Sequence, residues 1–160
     1  MSAPRENEKY DRKEELASSD FRIISWIGII SQQTDTKMRQ LLEGTDVPPP
    51  QFMLLSHFMH RPEESKTVSK IAWALQQPQP GITKTVAKML KKGFLRAEEN
   101  PQDGRSKFLY LTVEGKRAHE QAQARLETAL ADTFTGWREW EKKDFFGFLD
   151  KLKDYLDETR

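Results

Sequence analysis

The sequence predicts a mainly α-helical chain with one small β-hairpin, and three observations lead there. Apolar residues recur at helical spacing along most of the chain. Only between Phe94 and Leu111 does the pattern change to two short strand-like runs. Those runs are separated by Asn100-Pro101-Gln102-Asp103-Gly104-Arg105-Ser106, the residue types of a tight hairpin tip. With 160 residues the chain is long enough for a single domain with a real core.

Taken in order, residues 1 to 19 read as a mobile N-terminal arm. Residues 20 to 160 read as one domain, its first helix capped by Asp20. In that helix seven of the ten positions from Phe21 to Ile30 are apolar and lie on more than one face. One stripe can serve the chain's own core, and another needs a cover. The helix turns polar toward Leu42 and stops at Gly44. Prolines 48 to 50 open a second helix over Pro49–Met59, with Phe52, Leu55 and Phe58/Met59 expected inward. Thr67 to Leu75 is a short third helix, and Gln76-Gln77-Pro78 is the turn into a fourth. In this fourth helix Ile82, Val86 and Met89 form the apolar stripe and Gly93 the stop. After the hairpin, Thr112 caps a long helix with widely spaced small apolar residues, and Gly136 interrupts it. A last aromatic-rich helix spans roughly residues 142 to 157.

Charge is distributed unevenly. The formal net charge is +1, yet Lys66 to Arg117 holds eleven Lys/Arg against four Asp/Glu. A basic centre between acidic flanks suits an anionic partner, and a duplex phosphate backbone is the simplest.

A short helix, a turn, a second helix and a hairpin with a charged tip make a winged helix-turn-helix. This fold lays its second helix in the major groove and its tip beside the minor groove. Gly93-Phe94-Leu95, the Asp103-Gly104-Arg105 tip and Leu111-Thr112-Val113-Glu114-Gly115 together resemble the wing of the MarR family of bacterial transcriptional regulators. Val47 to Leu55 is similar to that family's second-helix entry, and the order of elements agrees from Phe21 to Leu156. The resemblance implies a winged helix-turn-helix over residues 46–112, with dimerisation helices at 20–44 and 113–160. It also implies that Arg105 enters the minor groove and that Asp103 braces the wing by pairing with a nearby base. Gly104 departs from the family, where an arginine is frequent, as do Pro80 and Gly81, where small hydroxyl residues are usual.

The expected DNA-binding residues are Gln79, Thr83, Lys84 and Lys88 on the fourth helix, Arg105 and Lys107 on the wing, and Ser69 and Lys70 on the supporting helix. Gln79 and Thr83 can bond base edges, and Lys84 can reach guanine or phosphate. Lys88, Lys91 and Lys92 fall further along, toward phosphates or solvent. Many members of the family bind small, often aromatic, acidic effectors between dimer helices and reading head, and Trp26, Arg39, Phe52 and His57 are the candidates for such a pocket here.

Other chemistry finds little material. The chain has no cysteine, which removes disulfides, thiolate zinc sites and thiol nucleophiles. His57 and His60 share a helix but no acidic cluster flanks them, and no cofactor is implied. No phosphate loop or catalytic triad spacing stands out. Met1 to Asp20 is charged, unlike a secretory signal, and no apolar run approaches the ~20 residues of a membrane span. The expectation is a cytoplasmic homodimeric repressor that binds a pseudo-palindromic duplex and is released by a small effector. The alternative is a winged-helix interaction or ligand-binding module without specific DNA binding.

Overall fold

The computed structural model describes residues 18–159. The expected arm lies outside the described residues up to residue 17; of its last two residues, Ser18 caps the first helix and Ser19 begins it. Ser18, not Asp20, is the cap: its hydroxyl accepts from Phe21 N at 3.3 Å, and helix α1 runs Ser19–Leu42. Asp20 falls inside the first turn, where a carboxylate favours the positive end of the helix dipole.

Then follow α2 (Pro49–Met59), α3 (Val68–Ala74), α4 (Gln79–Lys91), strands β1 (Leu95–Glu99) and β2 (Lys107–Leu111), α5 (Val113–Leu130), a 3-10 turn (Ala131–Phe134) and α6 (Glu139–Glu158). The strands pair antiparallel, with Leu95 opposite Leu111 and Glu99 opposite Lys107. Lys66 adds one bridge to this hairpin, exchanging both backbone bonds with Leu109 at 3.1 and 2.8 Å, and so ties the start of α3 to the wing.

One core joins the head. Leu42, Val47, Leu54, Leu55, Phe58, Ile71, Ile82, Val86, Met89, Leu95 and Leu109 are buried together, with Ala122 and Leu126 of α5 closing one side. The expected inward face of α2 is turned slightly: Leu54 is buried, whereas Phe52 and Met59 are only half-buried. This rotation aims Phe52 at α5.

The joint between wing and α5 is set by local chemistry. Gly93 adopts a φ of 74° after α4, and Phe94 N bonds Met89 O at 2.9 Å while Gly93 N bonds Leu90 O at 3.0 Å, closing the helix in a Schellman motif. Thr112 then caps α5, accepting from Gly115 N at 3.0 Å while its hydroxyl donates to Gly93 O at 2.6 Å. One side chain therefore fixes the exit of α4 and the start of α5.

The ends of the chain pack differently. Leu42 is the only fully buried residue of α1, and α6 buries none. Phe21, Ile23, Ile24, Trp26, Phe146 and Phe148 are all at least half exposed. No described helix is long and apolar enough to cross a membrane.

Candidate nucleic-acid interface

The wing tip is prearranged by two Asn/Asp turns. Asn100 Oδ1 accepts from Gln102 N at 3.0 Å, and Asp103 Oδ1 accepts from Arg105 N at 3.0 Å. Asn100 Nδ2 donates to Ser106 Oγ at 2.8 Å, which locks the two halves of the tip together. Asp103 thus braces the wing by holding the Arg105 backbone, where the resemblance implied pairing with a basic side chain. Arg105 is exposed, and among the described residues its guanidinium has no carboxylate partner. Further down, Arg96 lies over the Tyr110 ring at 4.2 Å and pairs with Glu98, which stiffens the hairpin.

Helix α4 begins between two prolines. Pro78 holds the N-cap position and Pro80 the second position, so neither contributes an N–H. Gly81 N already bonds Pro78 O at 3.0 Å. Few backbone amides remain at this helix entrance to meet an anion.

A groove of about 380 Å³ runs between the start of α3, one flank of α4 and the wing. It gathers Ser69, Gln79, Thr83, Arg105 and Lys107 from three separate elements, and no carboxylate lines it. Thr83 Oγ1 donates to Gln79 O at 2.9 Å, leaving its lone pairs outward as acceptors. Lys107 shares its charge with Glu99 at 3.3 Å. Lys70, Lys84 and Lys88 are exposed but do not line this groove; the helical repeat puts Lys84 on the ridge of α4 facing away from the core. Lys92, grouped with the phosphate- or solvent-facing lysines in the sequence, turns back: its Nζ donates to Gln51 Oε1 at 3.0 Å and to Asp46 O. These bonds turn the ammonium toward α2, where it satisfies Oε1 of the buried Gln51.

A second cleft of about 580 Å³ opens where α1 meets α2. Arg39 and Asp35 of α1 face Phe52, Met53 and Ser56 of α2 across it, with Gln77 from the α3–α4 turn at its edge. The structure brings Arg39 and Phe52 to this cleft but not Trp26 or His57. Trp26 lies on the exposed face of α1, and His57 packs edge-on to Phe58, with ring centroids 6.3 Å apart. Behind the cleft lies a residue that sequence reasoning missed. His119 of α5 is buried, stacks on Phe52 at 5.0 Å and meets Ser56 Oγ through Nε2 at 2.9 Å. Ser56 Oγ also bonds Phe52 O at 2.9 Å, and the buried Nδ1 of His119 has no partner among the described residues. Its spacing with Gly115, Ala122 and Leu126, all on one stripe of α5, was the available signal. Among the described residues no three His, Asp or Glu side chains gather as a metal site.

Residues 45–106, from the entry of α2 to the wing tip, match the model of the MarR family. That segment, well under half of the chain, is similar to the MarR family. The HTH-type transcriptional regulator BilQ of Clostridium symbiosum is 28% identical over 83 residues, 52% of this chain and 58% of that protein; the chain thus spans a little over half the length of this curated relative. Wild-type MarR from E. coli in its apo form superposes with a TM-score of 0.71 at 19% identity, over 86% of this chain and 98% of that one. The S. aureus MepR–DNA complex gives 0.67 at 23% identity, over 82% and 96%. Both likenesses extend the shared MarR fold beyond the matched segment, to the helices on either side.

Proposed function

We propose that this chain is a MarR-type, sequence-specific DNA-binding transcriptional regulator, a cytoplasmic homodimeric repressor and not an enzyme. The observation that carries the reading is the carboxylate-free groove in which Ser69, Gln79, Thr83, Lys107 and the fixed, exposed Arg105 converge. The ridge of α4, with Lys84 and Lys88, would enter the major groove, and Arg105 the adjacent minor groove. The apolar faces of α1 and α6 cover one another across a two-fold axis in this reading. The two heads then stand about one DNA turn apart, roughly 34 Å, on a pseudo-palindrome with half-sites ~10 base pairs apart.

Release by a small aromatic or acidic effector fits the cleft between α1 and α2. Its floor is apolar, with Phe52 and Met53, and Arg39 can meet a carboxylate. Gln77 gives that cleft a route to the reading head: its Nε2 contacts Met53 Sδ at 3.5 Å while its backbone N bonds Ala72 O at 3.0 Å in the turn before α4. A ligand that binds better when this turn is shifted lowers the population competent for DNA.

Fluorescence anisotropy with duplexes from the gene's own upstream region tests the reading. Wild-type binding should weaken steeply with salt. Arg105→Ala should lower affinity and reduce the magnitude of the log–log salt slope by about one. Absence of salt-sensitive binding to any duplex would sink the proposal and favour a winged-helix interaction module.

A further inference from the structure

Within the reading head, residues 45 to 112, the most exposed large apolar side chain is Trp73, at 72%. The other strongly exposed aromatics lie on α1 or beyond Leu130, on the faces that a second copy would cover. Trp73 belongs to neither, so dimer formation does not account for it. It stands one helical turn after Ser69 on the outer side of α3, where residues four apart share a face. There it walls an open groove with Ser69, Gln76, Pro78 and Gln79, and no carboxylate lines that groove. Ser69 and Gln79 also line the groove that leads to Arg105 and Lys107. The Trp73 surface is therefore continuous with the candidate interface, around the other flank of the α4 entrance.

We infer that Trp73 is a DNA-contacting residue that extends the interface along one sugar–phosphate strand, its ring packed against deoxyribose. The proposal rests on the DNA-binding reading above. Two features select this occupant. A neutral, carboxylate-free wall beside Lys70 accepts a polyanion without repulsion. The proline-bounded entrance of α4 offers few amides to hold a phosphate, so the strand needs another surface to set its register. An indole supplies a broad apolar face at low entropic cost, which suits the C–H face of the sugar.

Because a ring neutralises no phosphate, its signature differs from that of a lysine. Trp73→Ala should bind about tenfold more weakly, as expected for losing the burial of part of an indole. The loss should be equal for specific and scrambled duplexes, with the salt slope unchanged. Trp73→Phe should retain most of the affinity. Lys84→Ala, measured beside them, should flatten the slope by about one. Thermal melting of each variant reports whether the fold is intact, which an exposed position predicts. If a folded Trp73→Ala binds duplex like wild type, or loses affinity only for the specific sequence, the inference is overturned. If wild type binds no duplex, the regulator reading itself fails, a result distinguishable from the first.

Discussion

Gly115 lies where α5 passes over the wing root. A β-carbon there would collide with the Phe94 carbonyl oxygen and lie 2.9 Å from Leu111 Cδ1. Gly115→Ala must push the helix off the hairpin, and overpacking of this kind should cost roughly 2–3 kcal/mol, read as a lower urea midpoint. Gly81 contrasts with it: nothing lies within 4 Å of an added β-carbon, so the fold does not require a glycine there. His119 carries a pH dependence. Burial holds its imidazole below the ordinary histidine value, against the opposing charge of Glu120, and burial and Lys66 do the same for His57. With folded values depressed, the unfolded chain takes up more protons, so stability should be full above about pH 6.5 and fall as pH drops below it. His119→Gln should flatten that fall between pH 7 and 5, measured by urea denaturation. An unchanged pH profile would show that protonation of His119 does not matter.

At the scale of elements, the α3–α4 turn concentrates the strain. Gln76 has a φ of 50°, the one non-glycine residue with a positive φ among those described. Left-handed backbone costs a side chain roughly 1 kcal/mol, so Gln76→Gly should raise stability by up to about that amount, seen as a higher Tm. A drop in Tm would mean that the Gln76 side chain contributes more than its backbone costs. The turn as an element was legible beforehand, because Gln-Gln-Pro separates two apolar periods. Its sharing of Gln77 between cleft and head was not legible, since Met53 and Gln77 are 24 positions apart. The wing was readable almost to the residue. β2 spans Lys107–Leu111 as the strand-like run predicts, and β1 starts one residue later than its run, at Leu95.

For the whole molecule, the contrast lies between a closed head and two open helices. α1 and α6 bury almost nothing within one chain, while Trp137 stacks edge-on to Phe134 and Phe145 at 5.4 and 5.6 Å, tying the start of α6 to the turn before it. In the proposed dimer a second copy covers this exposed apolar area. Removal of residues 135 to 160 should therefore give monomers or aggregates in light scattering, and a well-folded, stable dimer would place the interface elsewhere.

By itself the sequence determined the order of elements, the cap at Thr112, the stop at Gly93 and the exposed arginine at the wing tip. These depend on interactions within a few residues, where propensity, capping and turn chemistry decide the outcome. Only the tertiary structure decided which distant groups meet: Lys92 on Gln51, His119 between Ser56 and Phe52, and Arg39 with Phe52 but without Trp26 or His57 at the cleft. A one-dimensional period marks an inward face, but the partner that face meets depends on how each helix is rotated in the shared core. The small rotation of α2 that buries Leu54 and half-exposes Phe52 built the His119 contact.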